Sequence, residues 1–326
     1  MIKCFWFILL TIVLGSCVPN DKPKEFVVPE GFEPLNYPED NPFSRVKAKL
    51  GERLFFDTRL SKNGNVSCAS CHNPKLAFAD SLPLSFGTND SLGFRNTPSI
   101  INAAYKTLFH MDGGVRSLEL QVLAPIIDTN ELGQNFDSIL TYLKSDSIYL
   151  KLFEESFDTI PTIFGLTRAI ATYERSLIYG ESAFDRYLNG DSSALSNHEK
   201  KGWELFSSKK LNCISCHSGR LLTNYTFQNI GIAYQFADTG RARVTRKKED
   251  VGKFAVPSLR NVAITAPYMH DGSISSLDSV LVFFSKGGGP HPNKSQLLKP
   301  FELSNSEKNY LKAFFSSLTD DKFVKK

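Results

Sequence analysis

The sequence predicts a mainly α-helical molecule made of two similar halves. Apolar residues recur every three to four positions in several segments, and no alternating run reads as a convincing strand. One five-residue pattern also occurs twice, as CASCH at residues 68–72 and as CISCH at residues 213–217.

The elements follow in chain order. From Ser44 to Leu54, Val46, Leu50 and Leu54 keep a helical rhythm. Residues 137–143 and 148–153 read as helices set between long loops. After Pro161, the stretch TIFGLTRAIATYERSL carries Ile163, Leu166, Ile170, Tyr173 and Leu177 on one stripe of a helix. The polar stretch 189–193 marks a boundary near residue 190, dividing the body into 43–189 and 190–326. Ser196 and Glu199 form a capping box that opens a helix bearing Trp203 and Phe206. A second box, Ser304 with Glu307, opens a helix with Tyr310, Leu311, Phe314, Phe315 and Leu318 on one face.

With 326 residues, 41% hydrophobic and 22% charged, the chain has room for two soluble domains. The first residues are different in kind. One early lysine, an apolar run from Cys4 to Leu14 and then small residues describe a secretory signal over 1–16. Its end, Leu14-Gly15-Ser16-Cys17, is similar to a bacterial lipobox, which would leave Cys17 as a lipidated N-terminus; the alternative is an ordinary signal with a coincidental cysteine. The Pro- and charge-rich stretch 17–42 is expected to be a tether holding an exported body at a membrane of the cell envelope, on the periplasmic side. A net charge of +4 is too small and dispersed for nucleic-acid binding. The basic run 241–248 has Glu249 and Asp250 beside it, so a solvated loop is preferred over a docking patch.

Six cysteines are present, of which Cys4 falls in the signal and Cys17 in the lipobox. The remaining four are Cys68 with Cys71 and Cys213 with Cys216. In an exported protein such pairs suit a redox disulfide or a zinc site, but a histidine follows each pair at once, the pattern of covalent c-type haem attachment. Two thiols one helical turn apart reach the two vinyl groups of one porphyrin, and the next histidine reaches the iron. His72 and His217 are therefore the expected proximal ligands, each half being a cytochrome c-like domain around one haem.

Longer stretches carry a resemblance: KLGERLFFDTRLSKNGNVSCASCHNPKLAFAD, GFRNTPSIINAAY, MDGGVRSLELQVLAPIIDTNELG and GKFAVPSLRNVAITAPYMHDGS. From about Phe43 to Leu318 the chain resembles the bacterial di-haem cytochrome c peroxidases, including their methylamine-utilisation-type relatives. The resemblance implies that hydrogen peroxide reacts at the first haem. Electrons would enter through the second from a small cytochrome c or copper protein. It also implies one calcium ion between the domains and a tendency to form dimers. Gln121 and Glu131 match the family's glutamine and glutamate over the peroxide face, where an amide orients the peroxide and a carboxylate moves its proton. Asn96, with the carbonyls of Thr265 and Pro267, matches the calcium ligands, leaving waters to complete the shell.

Three positions depart from the family pattern. Thr88 stands where many members carry a histidine that closes the resting first haem. Met111 stands where many carry a tryptophan between the haems, and Phe284 where a methionine or tyrosine ligates the second iron. Of the other histidines, His198 is expected at an exposed helix start and His270 near the haems in a supporting role. His110 reads as packed between the domains, with a swing toward a haem as the alternative. His291 and Met269 are the candidates to replace Phe284 as ligand, with an open or water-bound second haem as the alternative. The leading expectation is a peroxidase whose first haem is open without prior reduction. A di-haem oxidase of a partner's side chain, which the loss of the tryptophan weakens, and a non-catalytic electron carrier or sensor are the alternatives.

Overall fold

A computed structural model of the chain describes residues 27–233, 235 and 237–324. The expected signal 1–16, Cys17 and the first part of the tether lie outside the described residues.

The fold is helical around two cores. The first half holds α1 (Arg45–Phe55), α2 (Cys68–Cys71), α3 (Leu118–Gln121), α4 (Leu123–Ile127), α5 (Phe136–Ser145), α6 (Ser147–Phe157) and α7 (Ile163–Ser176). The second holds α8 (Ala183–Leu188), α9 (Asn197–Ser207), α10 (Ala242–Thr245), α11 (Leu277–Ser285) and α12 (Asn305–Ser317). Between α9 and α11, β1 (Phe227–Gln228) pairs antiparallel with β2 (Phe254–Ala255). Long loops join these elements, and the loops carry most of the site.

Each half is organised by one helix crossing, built the same way twice. In the first, α1 packs on α7 and Gly51 sits at the contact; a Cβ there would lie 1.9 Å from the Ala169 carbonyl oxygen. In the second, α9 packs on α12 with Gly202 at the contact, where a Cβ would lie 2.0 Å from the Tyr310 carbonyl oxygen. Only glycine permits backbones so close. The crossing helices then set an aromatic ring against each motif histidine: Phe55 to His72 and Phe206 to His217, both at 6.4 Å between ring centroids.

The helix starts form as their sequences direct. Ser196 and Ser304 close capping boxes with Glu199 and Glu307, and the Thr162 hydroxyl accepts from the Gly165 amide at 3.0 Å. The expected stripe on α7 proves too narrow. The helix is buried nearly all round from Gly165 to Arg175, because α1, α3 and α6 enclose it. Arg175 holds Glu119 through two hydrogen bonds, at 2.8 and 3.1 Å, and the Thr172 hydroxyl donates to the Arg168 carbonyl at 2.7 Å.

Two expectations about segment limits change. The stretch ending at residue 42 is not a free tether over its described part. Phe32 lies under Arg220 and Arg260 and beside Tyr105, and Asn41 is fully buried, donating to Glu119 at 2.8 Å. The second core also starts before residue 190. Phe184 of α8 belongs to it, and Asp185, almost fully buried, binds Arg260 through both guanidinium nitrogens.

Candidate functional site

Both motifs open onto one continuous cavity of about 860 Å3 between the two cores. Cys68, Cys71 and His72 line one end, and Cys213, Cys216 and His217 line the other. The four cysteines are free thiols in this structure. Burial pushes the Cys71 thiol up to about 11 and that of Cys213 to about 12. Among the described residues no three His, Cys, Asp or Glu side chains converge to hold a metal ion.

Each histidine is held for ligation. His72 Nδ1 donates to the Phe78 carbonyl at 3.0 Å, and His217 Nδ1 donates to the Leu222 carbonyl at 3.0 Å. With Nδ1 carrying the proton, Nε2 keeps its lone pair. Burial holds both imidazoles below their ordinary value, hence neutral. The accepting carbonyls sit on left-handed residues, Phe78 at φ 57° and Leu222 at φ 50°. A serine fixes each turn from outside: Ser99 Oγ donates to the Ala77 carbonyl and Ser258 Oγ to the Leu221 carbonyl, both at 2.6 Å.

These serines expose a second duplication that motif reading missed. Pro98-Ser99 through Asn102 corresponds to Pro257-Ser258 through Asn261, and both asparagines are left-handed, at φ 58° and 60°. The bridges Phe109–Val115 and Tyr268–Ile274 then bracket Asp112-Gly113 and Asp271-Gly272. The signal was available as two P-S-x-x-N segments, each followed by Asp-Gly. The donor set, its tautomers and the cavity thus fit two haems, each held by two thiols and one imidazole.

The structure brings Gln121 and Glu131 to the His72 end of the cavity, where both line the wall. Gln121 is the last residue of α3, and Glu131 follows α4 in a turn closed by its own amide on the Asp128 carbonyl at 3.0 Å. Among the described residues neither side chain has a hydrogen-bond partner. Glu131 is exposed and lines the cavity. Burial, reinforced by the Asp128 carboxylate, raises it to about 7.

Thr88 does not line this cavity and is 1% exposed. Its hydroxyl donates to Asn65 Oδ1 at 3.0 Å and accepts from the Asn63 amide at 3.1 Å. Its own amide donates to the Glu131 carbonyl at 2.8 Å. The residue in the closing position is therefore tied into the support of the Glu131 turn.

The remaining candidates scatter. Met111 and His110 line the cavity, and His110 is exposed. His270 lines it too, stacked on Phe254 at 4.0 Å between centroids. His198 is exposed against Tyr310. Phe284 and Met269 line the cavity near the second motif, whereas His291 does not. Instead, His291 Nδ1 lies 3.0 Å from Asn229 Nδ2 and accepts from the Asn293 amide. Asn96, Thr265 and Pro267 each line the cavity, and Asn96 Nδ2 donates to the Leu82 and Pro83 carbonyls at 3.0 and 3.2 Å.

Comparison with known proteins identifies the arrangement. The sequence model of one family, described as di-haem cytochrome c peroxidase, matches residues 45–193. A methylamine utilization protein MauG from Methylorubrum extorquens is 39% identical over 290 residues, covering 88% of this chain and 82% of that protein. The chain belongs to the di-haem cytochrome c peroxidase family. A cytochrome-c peroxidase IdrP1 from a Pseudomonas species is 35% identical, covering 88% of this chain and 84% of its own. The crystal structure of a MauG-like protein associated with microbial copper homeostasis superposes with a TM-score of 0.84 at 32% identity, covering 90% and 95% of the two chains. The diheme peroxidase BthA from Burkholderia thailandensis, 22% identical, shares the fold at a TM-score of 0.73, covering 87% and 88%. In this peroxidase the departures at positions 88, 111 and 284 fall at the cavity or its support, so they bear on how the family's chemistry is run here.

Proposed function

We propose that this di-haem peroxidase reduces hydrogen peroxide to water at the His72 end of the cavity. One c-type haem would be held by Cys68, Cys71 and His72, the other by Cys213, Cys216 and His217. When bound, a haem supplies iron that passes electrons singly. Electrons would enter at the His217 end from a small cytochrome c or copper protein. The overall change takes one peroxide, two electrons and two protons to two waters. Gln121 orients the peroxide through its amide. Glu131, as carboxylate, takes the proton from the oxygen that stays and gives it to the oxygen that leaves. A group near 7 is suited to both halves of that transfer.

The observation that carries this reading is the unpartnered pair Gln121 and Glu131 on the wall beside His72, with Thr88 turned into the protein behind it. An imidazole at position 88 would have to be withdrawn before peroxide could enter. Thr88 supplies none, so the site is ready in the oxidised state. The Asn96 side chain with the Thr265 and Pro267 carbonyls is the proposed calcium site between the halves, and Cys17 the proposed lipid anchor on the periplasmic side. The test is Glu131→Gln in the holo-protein. Peroxide-dependent oxidation of a reduced cytochrome should fall about 100-fold or more with haem content unchanged. Full turnover would remove Glu131 from the mechanism.

A further inference from the structure

We propose that Lys106 is a built-in counter-cation of the first haem site, its ammonium binding a propionate carboxylate of the haem attached at Cys68 and Cys71. The observation is an imbalance of charge on the cavity wall. Five cations line it: Arg95, Lys106, Arg243, Arg260 and Lys299. Arg95 is paired with Asp112 and Asp238, and Arg260 with Asp185. Arg243 and Lys299 are exposed to water. Lys106 is half-buried on the cavity wall, and its Nζ has neither a hydrogen-bond nor an ion-pair partner among the described residues. Its backbone is fixed by its amide on the Ala103 carbonyl at 3.0 Å, which anchors the base of the side chain at the cavity wall.

A half-buried ammonium without an anion is poorly stabilised, and burial draws Lys106 below the ordinary lysine range. The wall at this point offers no carboxylate, so the anion must come with whatever fills the cavity. A haem brings two carboxylates on flexible arms, and a charge-assisted hydrogen bond from lysine to one of them satisfies both partners. The position within the cavity also has a direction. Lys106 is felt electrostatically at His72, whereas the charge felt at Glu131 is that of Asp128. The cation thus stands close enough to the first motif for its charge to be felt at His72. It is also confined to one half. In the duplicated segments, Pro98 to Asp112 and Pro257 to Asp271, the position matching Lys106 is Thr265. A fixed positive charge beside only one of two haems favours the reduced form of that one. The consequence is a bias that draws electrons from the second motif toward the first.

The proposal rests on the first motif carrying a haem, so the experiment reads haem content first. Holo-protein, Lys106→Met and Lys106→Arg are compared by haem stoichiometry, potentiometric titration and the propionate bending bands in resonance Raman spectra. In K106M the oxidised-to-reduced ratio of the first haem at a fixed potential should rise at least tenfold, with a shifted propionate band and the second haem unmoved. K106R should restore both signals. If K106M does not load haem, K106Q keeps a hydrogen-bond donor, removes only the charge, and carries the same potentiometric expectation. Full haem content with unmoved band and potential, or equal shifts at both haems, would overturn the proposal. Wild-type protein with haem only at Cys213 and Cys216 would overturn the haem reading and the proposal together.

Discussion

Glu131 and Glu174 show how much one carboxyl can be shifted by its surroundings. Glu131 sits near 7, so its carboxylate form grows as pH rises through that value. With the carboxylate acting as base, kcat/KM for peroxide should rise across a limb centred near 7, and that limb should vanish in Glu131→Gln. Glu174, on α7 and 6% exposed, is raised by burial to about 8. Its folded form holds a proton that the unfolded chain releases near 4.5. Its contribution to stability is therefore complete below 4.5 and is lost as pH rises toward 8. Thermal unfolding of Glu174→Gln against the parent at pH 5 and pH 8 should show the variant gaining relative stability at the higher pH. Legibility at this scale was uneven. The cysteines, both histidines, Gln121 and Glu131 were readable because motif and spacing name them. Thr88 was readable only as a missing ligand. That it instead supports the Glu131 turn depends on Asn63 and Asn65 arriving from a separate loop, which no local pattern encodes.

Among the elements, the two glycine-centred crossings carry the repeated architecture. Gly51→Ala or Gly202→Ala would push a methyl group into a carbonyl oxygen of the facing helix, at 1.9 or 2.0 Å from where its carbon must sit. Each should destabilise by about 3 kcal/mol or more and displace the aromatic ring beside the motif histidine, read by chemical unfolding and by the haem spectrum of that half. The capped helices α9 and α12 were legible from Ser196 with Glu199 and Ser304 with Glu307, because a capping box is a local device. The depth of α7 was not. Its sequence shows one apolar stripe, while Thr167, Thr172, Glu174 and Arg175 are buried by partners distant in the chain. The docking of residues 27–42 was missed for a similar reason. A stretch rich in proline and charge reads as solvated, and only Asn41 and Phe32 show that it closes over both halves.

For the whole molecule, the question is what joins the two halves across a shared cavity. Arg95 binds Asp112 at 2.8 Å in the first half and Asp238 at 2.6 Å in the second. Arg241 adds hydrogen bonds from the second half to the Asp112 and Gly113 carbonyls, at 2.8 and 2.9 Å. Arg95→Met leaves two carboxylates facing each other with their cation gone. That should cost about 3–5 kcal/mol and separate the unfolding of the halves into two transitions by calorimetry. Both motifs share one wall, so what distinguishes them is the positions that differ between the duplicated segments: Lys106 against Thr265, and Met111 against His270. The central claim is that the His72 end stands open in the oxidised protein and reduces peroxide there. It is tested most directly by recording the EPR spectrum of the fully oxidised holo-protein and then adding peroxide with a reduced cytochrome. A high-spin signal from the first haem, followed by peroxide-dependent oxidation of the cytochrome without prior reduction of the enzyme, is the predicted result. A low-spin first haem with no oxidation until the enzyme has been reduced would contradict it.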